Sequence, residues 1–342
     1  SSHYENHSKE ESYEDAYFYE PGEYMEHLIN LCRTRLQIQI PISQEKADQK
    51  QIRKREREPS DQEEQILIRK RCILDIGGGT GNFAKELIHQ NDNSRIVVID
   101  PFLIGDNNNT DNYIDYSNPG SDIVSFIKAP AEDFLISQSS ENLDWRTTII
   151  NHKYDGYDQI LLKEVIHHFQ KKDRVGIFRG MKGGLRKQQQ STEELKTKST
   201  TTDSQSQSQS QYPSILIITR PQIEIDYPLW SDAKEVWKQN QPSIADIQQD
   251  LMEAGYTNIK WTVESYPCSI TLNRWIEMIQ SRFWSTFSNF SDLELEDACN
   301  EISAKAKKAK TTNGNGNNDD NNGNDDNDII LRFEDRLIFL TA

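Results

Sequence analysis

The chain has 342 residues and a mass of 39.7 kDa, enough for one large domain or two small ones around a substantial core. Apolar residues are only 35% and mean hydropathy is −0.81, because runs of Gln, Ser, Asn and Asp bury no surface; discounting them leaves about 250 residues to fold as one elaborated α/β domain. With 39 basic against 55 acidic residues the net charge is −16, which repels phosphate backbones and disfavours nucleic acid as a partner.

The one dense basic run, Lys46 to Arg57, is interleaved with acids. Cys32, Cys72, Cys268 and Cys299 stand apart, without a CxxC spacing, as reduced apolar residues of an intracellular protein do. No stretch approaches 18 consecutive apolar residues, and the first residues lack the charged start and apolar core by which a signal peptide is recognised. The expectation is a soluble cytoplasmic protein with no membrane partner.

Residues 1–64 divide into an acidic, tyrosine-rich start and a charged, glutamine-rich connector. Tyr24, Met25, Leu28, Ile29, Leu31, Cys32 and Leu36 recur at helical spacing, which predicts a helix between Pro21 and Ile40. From 65 to 264 strands and helices alternate. Ile66–Ile68 and Cys72–Ile76 form an apolar run that stops at glycines, and Asn82–Ile88 follows as a helix. Arg95–Ile99 is a second strand and Ile123–Ile127 a third, with a helix starting near Ala131. Tyr157–Leu162, Ser214–Thr219 and Ile259–Val263 are three more strands, with helices at Lys172–Met181 and Ile244–Ala254 between them. Leu337–Leu340, within a last segment 329–342, is a seventh. Such alternation builds a doubly wound sheet with helices on both faces.

Three inserts interrupt the pattern. Residues 187–211, ending in Ser-Gln repeats, and 301–328, with their Asn/Gly/Asp tract, are linkers on composition. Residues 265–300 hold Trp275, Phe283, Trp284, Phe287 and Phe290 and are expected to pack as a helical cap.

The most specific motif is Asp75-Ile76-Gly77-Gly78-Gly79-Thr80-Gly81, between a buried strand and a helix. Its glycines let the backbone turn sharply and approach a ligand, and the following helix offers N–H groups to a polar ligand end. The spacing is D-x-G-x-G-x-G. The dinucleotide pattern G-x-G-x-x-G would need a glycine where Asn82 stands, and a P-loop would need a following Gly-Lys-Ser/Thr, so both are disfavoured.

This pattern resembles the first motif of the class I S-adenosylmethionine-dependent methyltransferases. Asp100, ending the second strand, sits where that family places its ribose-binding acid. Ala131-Glu132-Asp133 is similar to the family segment near the adenine amino group. The stretch Tyr157 to Phe169 is similar to its fourth strand and following loop, and Arg179–Leu185 to the Gly-rich turn before strand five. The resemblance covers about 65–265 and the last strand. It implies a Rossmann-like seven-stranded sheet with its last strand antiparallel. It also implies S-adenosylmethionine as cofactor and S-adenosylhomocysteine as product. No metal is expected, because the sequence holds no HExxH, HxxEH or Cys/His cluster and its histidines are scattered apart from one pair. Candidate cofactor contacts are Asp75, Gly77, Gly79, Gly81, Asp100, Glu132, Asp133 and Lys163. The chemistry suits the ligand independently: a glycine loop for the amino acid end, a carboxylate for a diol, and a second carboxylate for an exocyclic amine.

Methyl transfer needs an aligned nucleophile, and a base only where that nucleophile carries a proton. His167 and His168, in the loop after strand four, are the candidates for base or orienter. Substrate contacts are expected from Tyr19 and Tyr24 of an N-terminal lid, from Arg220, and from Arg282 and Trp284 of the cap, where Arg274, Met278 and Arg282 share a helical face. The acceptor is expected to be a small organic molecule offering O, N or C. The alternative is a catalytically inactive methyltransferase-like scaffold that works through protein partners.

Overall fold

In this computed structural model the described residues are 21–38, 71–88, 94–102, 124–133, 156–186, 213–313 and 329–342. Helix α1 (Pro21–Leu36) precedes a sheet built from β1 (Arg71–Ile76), β2 (Ser94–Ile99), β3 (Val124–Ile127), β4 (Gln159–Lys163) and β5 (Ile215–Thr219), with α2 (Asn82–Leu87) and α3 (Lys171–Gly183) between them. Then come α4 (Ser231–Asn240), α5 (Ile244–Glu253), β6 (Lys260–Thr271), α6 (Leu272–Gln280), α7 (Asp292–Asn313) and β7 (Ile330–Thr341). The expected seven-stranded sheet is present, in the order β3-β2-β1-β4-β5-β7-β6. Strands β1 to β5 pair in parallel, and β7 runs antiparallel to both of its neighbours, β5 and β6.

The central strands are buried on both faces, so they read as continuous apolar runs: β5 is buried at all five positions. Alternate side chains feed two cores. Ile73, Leu161, Leu216 and Ile218 join Leu28 and Cys32 of α1, Phe83 and Leu87 of α2, and Trp275 of α6 on one face. Leu74, Ile76, Ile160, Leu162 and Ile217 pack against Phe178 and Met181 of α3 and Leu251 of α5 on the other. Helix α5 starts as its sequence predicts. The Ser243 hydroxyl accepts the Asp246 N–H at 3.0 Å, and after the helix Gly255 takes φ +89°. All four cysteines are buried free thiols.

Strands β6 and β7 are much longer than their apolar centres suggest. They pair from Lys260↔Thr341 to Thr271↔Ile330, so residues 265–271 are strand, and the cap departs only at Leu272. The extension runs past the end of β5, whose last partner on β7 is Ile338. With one face covered there, burial alternates: Phe333, Asp335 and Leu337 point inward while Arg332, Glu334 and Arg336 lie further out. The Leu272 N–H donates to the Ile329 carbonyl at 2.8 Å and closes the neck of the insertion.

Residues 301–313, read from composition as linker, belong to α7. Leu295, Ala298, Cys299 and Ile302 anchor its first half in the core, and the Lys/Ala stretch prolongs it because those residues are strong helix formers. Within Arg179–Leu185, Gly180 and Gly183 are helical in α3, and the turn begins at Gly184. The stretch Ile66–Ile68, the helix expected from Ala131 beyond residue 133, and the insert 187–211 lie outside the described residues.

Candidate functional site

Ligands of open α/β sheets bind beyond the carboxyl ends of the strands. Here Asp75 and Ile76 close β1's run of buried residues, and Gly77 to Gly81 turn the chain into α2, a helix of six residues. Gly77, Gly79 and Gly81 all have positive φ (+74°, +55° and +74°), so the loop needs glycine there. A Cβ on Gly77 would lie 2.5 Å from Val165, and one on Gly81 would lie 2.4 Å from the Phe126 ring. Gly79 differs. A Cβ there would meet no atom of the described residues within 4 Å, so among them this peptide faces open space.

Two carboxylates flank the loop. Asp100 follows β2; its Oδ2 accepts the Gly79 N–H at 3.0 Å and its Oδ1 accepts the Phe102 N–H at 2.7 Å. Each oxygen keeps a further lone pair. Burial raises the Asp100 carboxyl above its usual range, and the two N–H donors work against that. Asp75 is only 1% exposed, and neither carboxylate oxygen has a hydrogen-bond partner among the described residues. Burial pushes its carboxyl up to about 7; the Lys163 ammonium lowers it and Asp100 raises it. Lys163 itself ends β4, with its Nζ 5.0 Å from the centre of the Phe83 ring.

The structure thus brings Asp75, the three glycines, Asp100 and Lys163 together. Glu132 and Asp133 lie just past β3, in a turn where the Asp133 N–H donates to the Pro130 carbonyl. That turn adjoins the site because the Asp100 and Ala129 backbones are linked: the Ala129 N–H donates to the Asp100 carbonyl at 3.3 Å. Glu132 is exposed and Asp133 half-buried.

After β4, Glu164 takes φ +55° and a short 3-10 turn, Ile166–His168, presents both histidines with ring centroids 4.0 Å apart. His168 is exposed. His167 is half-buried and largely desolvated, which pushes its imidazole down to about 3; neighbouring His168 lowers it further and Glu164 raises it. His167 is therefore neutral throughout the physiological range, a hydrogen-bonding ring rather than a strong proton acceptor.

Beyond β5 lies a cluster that includes residues the sequence did not single out. Arg220 is buried, 2.5 Å from Glu164 and ion-paired with Asp335, and it donates to the Tyr227 hydroxyl. Asp335 also accepts hydrogen bonds from Tyr227 and, at 2.7 Å, from Tyr24 of α1. Trp284 stacks edge-on against Tyr227 at 4.9 Å, and Trp275 and Phe287 pack behind it. Tyr24, Arg220 and Trp284 are thus buried and held by protein partners. The signal for Asp335 was its place: it shares the inward register of Phe333 and Leu337 in β7. Glu164 had no comparable signal, because its backbone conformation is not written in its identity.

The arginine stripe expected on the cap is absent. Helix α6 ends at Gln280, and Arg282 follows with φ +55°, its guanidinium bound to the Phe290 carbonyl (2.9 Å) and Asp292 (2.8 Å). Met278 is buried, and Arg274 pairs with Glu277 on the solvent side. A chain turn therefore separates positions that a continuous helix would have aligned. Tyr19 lies outside the described residues.

Residues 43–175 match a family model described as a methyltransferase domain. Solved structures with a similar course include Haemonchus contortus phosphoethanolamine N-methyltransferase 2 in complex with S-adenosyl-L-methionine, at 12% identity and TM-score 0.35 over 86% of this chain and 52% of that one. A cyclopropane synthase from Mycobacterium tuberculosis matches at 11% identity and TM-score 0.34, over 80% of this chain and 78% of that one. A SAM-dependent methyltransferase from Archaeoglobus fulgidus matches at 12% and 0.34, over 79% and 85%. The chain spans about half the length of the phosphoethanolamine enzyme it matches. No curated protein matches the sequence. Among the described residues there is no cluster of His, Cys, Asp and Glu suited to a metal ion, and no described helix is long and apolar enough to cross a membrane.

Proposed function

We propose that the protein is an S-adenosylmethionine-dependent methyltransferase acting on a small organic acceptor. The observation that carries this reading is the pairing of an open peptide at Gly79 with the buried, unpartnered carboxylate of Asp75. A buried anion without hydrogen bonds costs folding free energy, and a cationic ligand end seated on the glycine loop would repay it. Asp100, pinned by two N–H donors, presents its free lone pairs to a vicinal diol. Glu132 or Asp133 would meet the amino group of a purine, and Lys163 would balance the charge of Asp75. When bound, S-adenosylmethionine supplies an electrophilic methyl carbon on a sulfonium and leaves as S-adenosylhomocysteine.

What the chain's own residues add is alignment. The acceptor atom must stand about 3 Å from that carbon, in line with the breaking bond. His167 and His168 lie on the loop that faces this position, and the neutral His167 ring suits a hydrogen bond that orients the acceptor. The wall of Tyr24, Arg220, Tyr227 and Trp284 would exclude water from the same cleft. Arg282 is proposed only as a support of the cap, and Tyr19 as part of a closing segment.

Calorimetric titration with S-adenosylhomocysteine tests the reading. Micromolar binding at one site per chain is expected, weakened at least tenfold by Asp100→Ala without loss of fold. A folded protein that does not bind would instead favour the scaffold alternative.

A further inference from the structure

Strand β6 is the terminal strand of the sheet, and among the described residues no strand pairs with its outer side. Which backbone groups face outward follows from its partner. The Ser214 and Ile215 N–H groups donate to the Ala342 carbonyl, so the even-numbered residues of β7 address β5. The Glu334 N–H agrees, donating away from β6 to Asp226 at 2.9 Å. Antiparallel pairs alternate between bonded and non-bonded, so the β6 residues opposite those even positions also point their backbone groups away from β7. These are Trp261, Val263, Ser265 and Pro267. Pro267 has no N–H, which ends the donor row at Ser265.

Trp261 and Val263 are 46% and 47% exposed, and both lie on one face of the strand. Exposed edge strands are normally blunted by charge or proline, and here Pro267 protects only the later half. The first half reads Lys260-Trp261-Thr262-Val263-Glu264. Placed antiparallel to a copy of itself about Thr262, it sets Lys260 opposite Glu264, Trp261 opposite Val263, and Thr262 opposite Thr262. In that register the outward-facing Trp261 and Val263 fall into hydrogen-bonded pairs, as the alternation of the β6–β7 ladder requires. The side-chain pairs are an opposite charge pair, an aromatic on a β-branched residue, and two threonines, all favourable cross-strand combinations. Centring on Val263 instead would spend Trp261 on Ser265 and leave Lys260 opposite Tyr266. Glu264 already meets Arg35 across the strand, on the same face as Lys260, with a second oxygen to offer.

We propose that β6 is a homodimerisation edge: two copies pair antiparallel about Thr262 and join their sheets into one. The occupant is a second copy because the charge pattern of 260–264 is its own complement. The strand is short, so the dimer is weak, in the micromolar range expected of a small interface.

Sedimentation analysis of the full chain between about 1 and 200 µM tests the proposal, with thermal unfolding as a check on fold. Wild type should shift from monomer to dimer across the range. Val263→Pro removes an outward donor and leaves the β6–β7 bonds intact, so it should remain monomeric at every concentration. Lys260→Glu places like charges at both symmetry-related pairs and should weaken the dimer about tenfold or more. Adding Glu264→Lys should restore most of the affinity, a recovery that no other register predicts. A wild type that stays monomeric at 200 µM, or a dimer indifferent to Lys260→Glu, overturns the proposal. Should Val263→Pro fail to fold, the charge pair alone decides. Dimers that Lys260→Glu weakens but the double variant does not rescue would point to another partner surface and also overturn it.

Discussion

Around β1 and β2 the buried carboxylate of Asp75 has no hydrogen-bond partner among the described residues and Gly79 opens onto free space, whereas beyond β5 the carboxylate of Asp335 is met by Arg220, Tyr227 and Tyr24. Both regions sit at the carboxyl end of one sheet and both bury charge. Only the second satisfies that charge internally. The contrast separates a surface prepared to receive something from one that holds the molecule's parts together, joining α1, the end of β5 and the long β7.

The sharpest way to break the comparison is to remove Asp335. Asp335→Ala leaves the Arg220 guanidinium buried beside Glu164 alone, and loss of one partner of a buried pair costs about 3–5 kcal/mol. Denaturant unfolding should show that loss. Should stability stay within 1 kcal/mol of wild type by this measure, the cluster is not the structural tie its contacts suggest.

Asp75→Asn should do the reverse. The folded-state carboxyl is raised from 3.8 to about 7, so its favourable contribution is full below 3.8 and is lost as pH rises through 7. Asparagine cannot ionise, so at pH 8 the variant should be more stable by about 4 kcal/mol, and the gain should vanish near pH 4. Its affinity for S-adenosylhomocysteine should fall. In wild type that affinity should weaken as pH drops below about 7, because the ligand's ammonium needs the ionised carboxylate. A pH-independent affinity would remove Asp75 from the cofactor contacts.

Within the glycine loop the two effects should part. Gly81→Ala drives a methyl into Phe126 at positive φ and should cost about 1–3 kcal/mol of stability. Gly79→Ala carries only the backbone strain, about 1–2 kcal/mol, but should weaken cofactor binding more than Gly81→Ala does. The smallest change is expected at the acceptor side. His167→Gln should lower turnover about tenfold. It should not move the pH–rate profile between 5 and 8, because His167 is already neutral above about 3. A shifted profile would make it a titrating base after all.

Legibility from sequence follows how local each feature is. The loop Asp75–Gly81 and the acid at the end of β2 could be placed because a glycine spacing and a strand end are properties of neighbouring residues. The cluster around Arg220 could not, since Asp335 is 115 positions away along the chain and its pairing depends on how far β7 overshoots β5. The arginine stripe on the cap failed for a related reason. Periodicity assumes an unbroken helix, and the turn at Arg282 is decided by the packing of Phe283, Trp284 and Phe287 into the core.

By itself the sequence determined the parallel α/β plan, since buried strands must be apolar throughout and helices must show one apolar face. It also determined the glycine loop with Asp75 and Asp100, because positive φ and close approach demand glycine at named positions. Only the tertiary structure decided the length of the β6–β7 hairpin, the paired state of Arg220 and the open edge at Trp261 and Val263. Each of these depends on which distant surface covers a residue, and a half-covered strand with alternating polar positions looks in sequence much like a loop.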